Sequence, residues 1–163
     1  MAHADCDRPL TAGEVALARA IFGDTINYDD VRICHRKWAF FQSPRTVMAP
    51  MGNIHFHPAA KFYADDFSVA KPHLRALFVH EMVHVWQAQT RGRWFLVLMR
   101  WPFDFYRYAL KPGWPLKKYG LEQQAEIVAH YYLLSIGERV AGAPSLASYR
   151  AILPDDWPAH QIQ

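Results

Sequence analysis

The sequence predicts an α+β domain, and three observations lead to that class. An apolar segment opened by Pro72 reads as a buried helix. Short alternating segments between Val31 and His57 read as strands, and Leu121 to Ile136 reads as a further helix. With 163 residues, 52% of them apolar and 20% charged, the chain has the balance of one folded domain rather than of a disordered polymer. We take 1–163 as a single domain with loose tails at 1–9 and about 155–163.

The first helix runs from Thr11 to Phe22. Thr11 with Glu14 three residues on is the capping-box pattern, Val15, Leu17, Ala18 and Ile21 give an apolar stripe, and Gly23 stops the helix. Val31 to Cys34, Thr46 to Ala49 and Asn53 to His57 then read as strands of a small twisted sheet, antiparallel or mixed. The second helix runs from Pro72 to about Thr90, before Gly92, and is apolar round most of its circumference, as a buried helix is. From Trp94 to Lys118 the chain is aromatic and broken by prolines, with one short strand expected near Tyr106 to Leu110. The third helix ends at Gly137, and a short helix is expected around Ser145 to Ile152.

Several classes are disfavoured at once. The net charge of +3 is small and no basic run is long enough for a nucleic-acid arm. Cys6 and Cys34 form neither a CxxC pair nor a disulfide framework, so reduced thiols are expected. The N-terminus is polar, and the longest purely apolar run, Trp94 to Met99, is far shorter than the roughly 20 residues of a membrane-spanning helix. The expectation is a soluble cytoplasmic protein, exported, if at all, by a route that reads no N-terminal signal.

Chemistry concentrates in the second helix, at His80-Glu81-Met82-Val83-His84. Two histidines four apart lie on one helix face, one turn from each other, and both imidazoles can reach one Zn²⁺. Glu81 lies about 100° round the helix, where it can act as general base on water without taking a coordination position. The alternative, two core histidines with a buried glutamate, leaves polar groups that would cost several kcal/mol without partners. No histidine follows at the spacing of the long HExxHxxGxxH pattern, so the third ligand is expected from the third helix. Glu122 and Glu126 share a face there; we assign Glu122 as ligand and Glu126 as the partner of a ligand histidine, the reverse remaining open on spacing alone.

HExxH followed by a distant ExxAE helix, here Glu122 to Glu126 with Ala125 in the small-residue position, resembles the gluzincin branch of zinc peptidases. A closer resemblance is carried by Leu10-Thr-Ala-Gly-Glu14, Phe22-Gly-Asp-Thr-Ile-Asn-Tyr28, Val31-Arg-Ile33, Gly52-Asn-Ile54, His80 to Gln87 and Gly120 to Val128. These look like small bacterial Vgr-related proteins and the metallopeptidase-like domain found with contractile injection systems. The resemblance spans roughly Leu10 to Leu134. It implies a minimal zincin-like domain, with a small sheet packed on the HExxH helix and on the helix carrying the third ligand. It also implies a peptide or protein substrate and a type VI secretion context. His130 stands where the resemblance leads one to expect an acid.

Weaker features complete the expectations. Asn53 to His57 is either a strand that pairs with extended substrate or an ordinary edge strand with exposed histidines. The oxyanion donor is sought among His130, Tyr131, Tyr119 and Tyr108. Trp94 to Tyr106 is a loop over the core or an apolar patch for a partner. Two functions result: zinc-dependent peptide hydrolysis, or a zinc-stabilised adaptor associated with a secretion apparatus and without proteolysis.

Overall fold

The computed structural model describes residues 7–96 and 106–161. Its elements in chain order are β1 (Asp7–Pro9), α1 (Ala12–Phe22), β2 (Arg32–Cys34), β3 (Val47–Met48), β4 (Ile54–Phe56), α2 (Pro72–Arg91), α3 (Leu121–Ser135), α4 (Leu146–Arg150) and α5 (Pro158–Gln161). The class is α+β, with one four-stranded sheet and five helices among the described residues.

The sheet is mixed, in the order β1-β2-β4-β3. β2 and β4 are parallel, with Ile33 opposite Ile54, and the two outer strands are antiparallel to their neighbours. β4 is therefore an inner strand. The expectation of an edge strand with exposed histidines at Asn53 to His57 is corrected: His55 is buried, and the edge beyond it is β3. An aromatic column ties this sheet to α2, because Phe56 of β4 stacks on Phe67 at 5.3 Å and Phe67 stacks on Phe78 of α2 at 5.8 Å.

The caps form as their residues dictate. Thr11 Oγ1 accepts the Glu14 N–H, while Glu14 Oε2 accepts the Thr11 N–H at 2.9 Å. Glu14 does more than cap: it is fully buried, forms two 2.8 Å bonds with Arg8 and accepts the Phe67 N–H. One carboxylate thus joins β1, α1 and the segment leading into α2. Pro72 opens α2, and Gly92, at φ 95°, occupies the left-handed backbone that stops it.

Parts of both expected tails are built into the fold. Asp7–Pro9 pair with β2, so order begins before Leu10. Trp157 is fully buried, edge-on to Phe22 of α1 at 4.6 Å and to Trp86 of α2 at 5.0 Å, which draws α5 onto the core. The strand expected near Tyr106 to Leu110 joins no ladder. Side chains satisfy this backbone instead: Gln123 donates to the Arg107 carbonyl and Tyr119 Oη accepts the Lys111 N–H, both at 2.8 Å. Cys34 is free and buried, its thiol pushed up to about 12 by burial and by Asp7. Cys6 lies outside the described residues, as does 97–105 of the aromatic stretch; its ends, Trp94 and Tyr106, are exposed.

Candidate metal centre

α2 and α3 pack along one another, and the polar residues noted in the sequence meet at their seam. His80 Nε2 and His84 Nε2 each lie 3.2 Å from the same oxygen, Glu122 Oε2. Helix periodicity explains the convergence: the two imidazoles stand one turn apart on the α2 face that α3 covers, with ring centroids 5.1 Å apart. One ligand atom from each of His80, His84 and Glu122 fits within a set no wider than 4.8 Å.

The residues fit a zinc ion. Tetrahedral bonds of about 2.0–2.1 Å place ligand atoms about 3.3 Å apart, close to both nitrogen–oxygen separations here. Burial opposes charge on His80, but the hydrogen bonds with Glu122 and Glu126 outweigh it, with help from Glu81, and raise its pKa to about 10.

Each histidine is aimed from behind. Gln87 Oε1 lies 2.9 Å from His84 Nδ1, and Gln87 Nε2 donates to the Leu121 carbonyl and to Gln124 Oε1. Gln124 Nε2 in turn donates to the Tyr119 carbonyl at 2.7 Å. This network orients the Gln87 amide so that its oxygen faces His84. The Nδ1 of His84 then carries the hydrogen, and Nε2 keeps its lone pair for a metal. His80 Nδ1 lies 3.3 Å from Glu126 Oε2, and Glu126 Oε1 lies 3.1 Å from His130 Nε2. Contacts with His130 and then His80 hold Glu126 down at about 2, against the effect of burial. Glu122 thus faces both Nε2 atoms, and Glu126 lies behind His80.

Glu81 is buried, and its Oε2 has no hydrogen-bond partner among the described residues. An unpaired buried carboxylate oxygen is unfavourable by about 1–3 kcal/mol or more. It lines a cleft of about 530 Å³ together with His80, Glu122, Val47, Leu77 and Leu133. The edge strand β3 borders this cleft through Val47, and no residue of Asn53 to His57 lines it. Tyr106 stacks over His80, with centroids 6.2 Å apart.

Of the four candidate oxyanion donors, the structure brings His130 to the cleft. Tyr131 is corrected: it is buried and donates to the Ala159 carbonyl, toward α5. Tyr119 packs on Trp114 and holds the Lys111 backbone. Tyr108 lies behind His130 and bonds to it. Sequence reasoning missed Gln87 and Gln124; the available signal was Gln87, three residues after His84 on the same buried helix.

The fold and the seam define an α+β domain with a buried His-His-Glu cluster. No protein-family model matches the chain. It is 38% identical over 141 residues to the type VI secretion system spike protein VgrG2b of Pseudomonas aeruginosa. That match covers 80% of this chain but 13% of the spike protein, so the chain spans about an eighth of the length of this curated relative. Its structure is similar to that of the effector domain of Pseudomonas aeruginosa VgrG2b, with a TM-score of 0.71 and 34% identity over 94% of this chain and 87% of that one. The chain belongs to the family of the VgrG2b effector domain, and this kinship links it to type VI secretion.

Proposed function

We propose that the chain is a type VI secretion-associated effector domain whose His80, His84 and Glu122 hold a zinc ion for peptide-bond hydrolysis. The secretion assignment is supported by the kinship with the VgrG2b effector domain and implies a secretion-apparatus protein as partner. The metal assignment is carried by one observation: two imidazole nitrogens on α2 converge at 3.2 Å on one carboxylate oxygen of α3. The same convergence favours a gluzincin-type site on a zincin-like fold.

Zinc bound there supplies a Lewis acid that polarises a carbonyl and lowers the pKa of water toward about 7. The protein's own groups do the rest. Glu81, which lines the cleft and has one unpaired carboxylate oxygen among the described residues, takes a proton from the attacking water as the water oxygen bonds to the carbonyl carbon. It passes that proton to the departing amine nitrogen as the C–N bond breaks. Gln87 and Glu126 keep His84 and His80 aimed while this happens. Val47 on the open edge of β3 offers backbone groups for strand addition by an extended peptide. His130 lines the cleft from the α3 side.

A second reading is a zinc-stabilised adaptor without proteolysis, favoured by the exposed aromatic side chains of Trp94, Tyr106, Phe40 and Phe41, which suit a protein partner. Glu81→Gln separates the two. As a hydrolase the domain loses cleavage of unstructured test proteins by at least a hundredfold while keeping its zinc and its fold. As an adaptor, the variant and wild type behave alike.

A further inference from the structure

Glu126 sits in the middle of a chain of side-chain contacts that, beyond Glu126 and His80, hydrolysis as described leaves unused. One oxygen lies 3.3 Å from His80 Nδ1, and the other lies 3.1 Å from Nε2 of His130, one turn further along α3. The far nitrogen of His130 meets the Tyr108 hydroxyl, and Tyr108 Oη lies 2.7 Å from Tyr149 Oη on α4. Five side chains from α2, α3, the segment following residue 105 and α4 thus form one line. Its outer end is fixed, because Tyr149 is fully buried.

A carboxylate only accepts, so His80 Nδ1 and His130 Nε2 both carry hydrogens toward Glu126. If Nδ1 of His130 carries no hydrogen, it accepts from Tyr108 and Tyr108 accepts from Tyr149; if it carries one, both directions reverse. Every link has one donor and one acceptor. A Glu–His pair four apart on a helix surface is common by itself. A tyrosine from another segment on the far nitrogen of that histidine, itself backed by a second tyrosine on α4, is not explained by such a pair. A free glutamate has three rotatable bonds; pinned at both oxygens, its carboxylate has one orientation.

We propose that His130 and Tyr108, anchored by Tyr149, are positioning residues that clamp Glu126 and thereby aim His80 at the metal centre. This rests on the zinc reading above. It also explains why residues 106–110, which join no sheet, lie where they do: Tyr108 is held by the clamp and Tyr106 stacks on His80.

The test compares full-length wild type with Tyr108→Phe, His130→Ala, His130→Gln and the His130→Ala/Tyr108→Phe double variant. The readouts are the zinc dissociation constant by chelator competition, the visible spectrum of the Co²⁺-loaded protein, and thermal unfolding. Partners directly behind metal ligands are worth about 10–100-fold in affinity, and these residues act one step further out. Tyr108→Phe and His130→Ala are each expected to weaken zinc about threefold to tenfold and to shift the Co²⁺ bands. The double variant is expected to be no worse than His130→Ala, since Tyr108 acts through His130. His130→Gln, whose amide can still donate to Glu126, is expected to recover part of the loss. Wild type that binds zinc, with unchanged affinity and Co²⁺ spectrum in Tyr108→Phe, overturns the clamp even if thermal stability falls. Tyr108→Phe keeps the ring, so it decides the matter if His130→Ala fails to fold. Wild type that takes up no zinc overturns the metal reading and the clamp with it.

Discussion

Gln87 presents its amide oxygen to His84 Nδ1 at 2.9 Å, from three residues along the same helix. The contact decides which histidine nitrogen is left for a metal, and the amide is itself fixed by Gln124 and the Leu121 carbonyl. Gln87→Leu removes the acceptor while roughly keeping the volume. Zinc affinity is expected to drop about tenfold or more. Thermal stability is expected to fall by about 1–3 kcal/mol, because the buried Gln124 amide loses a partner. Chelator competition and urea unfolding measure the two separately.

Glu14 gathers Arg8, the Thr11 N–H and the Phe67 N–H on one buried carboxylate. Glu14→Ala strands the partly buried Arg8 guanidinium, and removing one partner of a buried ion pair costs about 3–5 kcal/mol. Arg8 keeps some exposure, with 22% of its side chain accessible, so a value near 3 kcal/mol is expected in urea unfolding. Zinc content of the folded fraction should be unchanged, since Glu14 lies outside the metal seam.

Trp157 fills the space between α1 and α2 through Phe22 and Trp86. Trp157→Ala is expected to cost about 3–5 kcal/mol. Ending the chain before residue 155 should do comparable damage, by the same loss. A truncated protein as stable as the full chain would contradict the packing described for α5.

His55 is buried in an inner strand, and burial, followed by the nearby Arg36 charge, lowers its pKa below the ordinary 6.5. The folded state therefore resists protonation more than the unfolded state does. Stability from this residue is fully present above pH 6.5 and is lost as pH falls from there through the lowered value. His55→Leu should flatten that acid limb. Histidine ring NMR titration gives the direct check: a His55 midpoint at or above 6.5 would contradict its environment.

Much of this molecule is legible in its sequence, for local reasons. Thr11 with Glu14, Pro72 and Gly92 act within one turn of where they stand, so α1 and α2 begin and end close to where local chemistry puts them. The His80/His84 pair and the Glu122/Glu126 pair each need only a four-residue helical period. What escaped is long-range. Alternation identifies β3 and β4 as strands but carries no information on which lies at the edge, so Asn53 to His57 was expected where Val47–Met48 stands. Trp157 looks like tail because its proline-flanked segment has no period, and its burial depends on partners far away in sequence. Tyr108 and Tyr131 are equivalent as isolated tyrosines; packing alone turns one toward His130 and the other toward Ala159.

The central claim is that His80, His84 and Glu122 form one zinc site. Its most direct test is the metal content of purified wild-type protein, by elemental analysis after dialysis, beside His84→Ala and Glu122→Ala. One zinc per wild-type chain, lost in both variants while circular dichroism stays close to wild type, is the predicted result. A wild-type protein that retains no zinc, or a full equivalent of zinc surviving in His84→Ala, would contradict it.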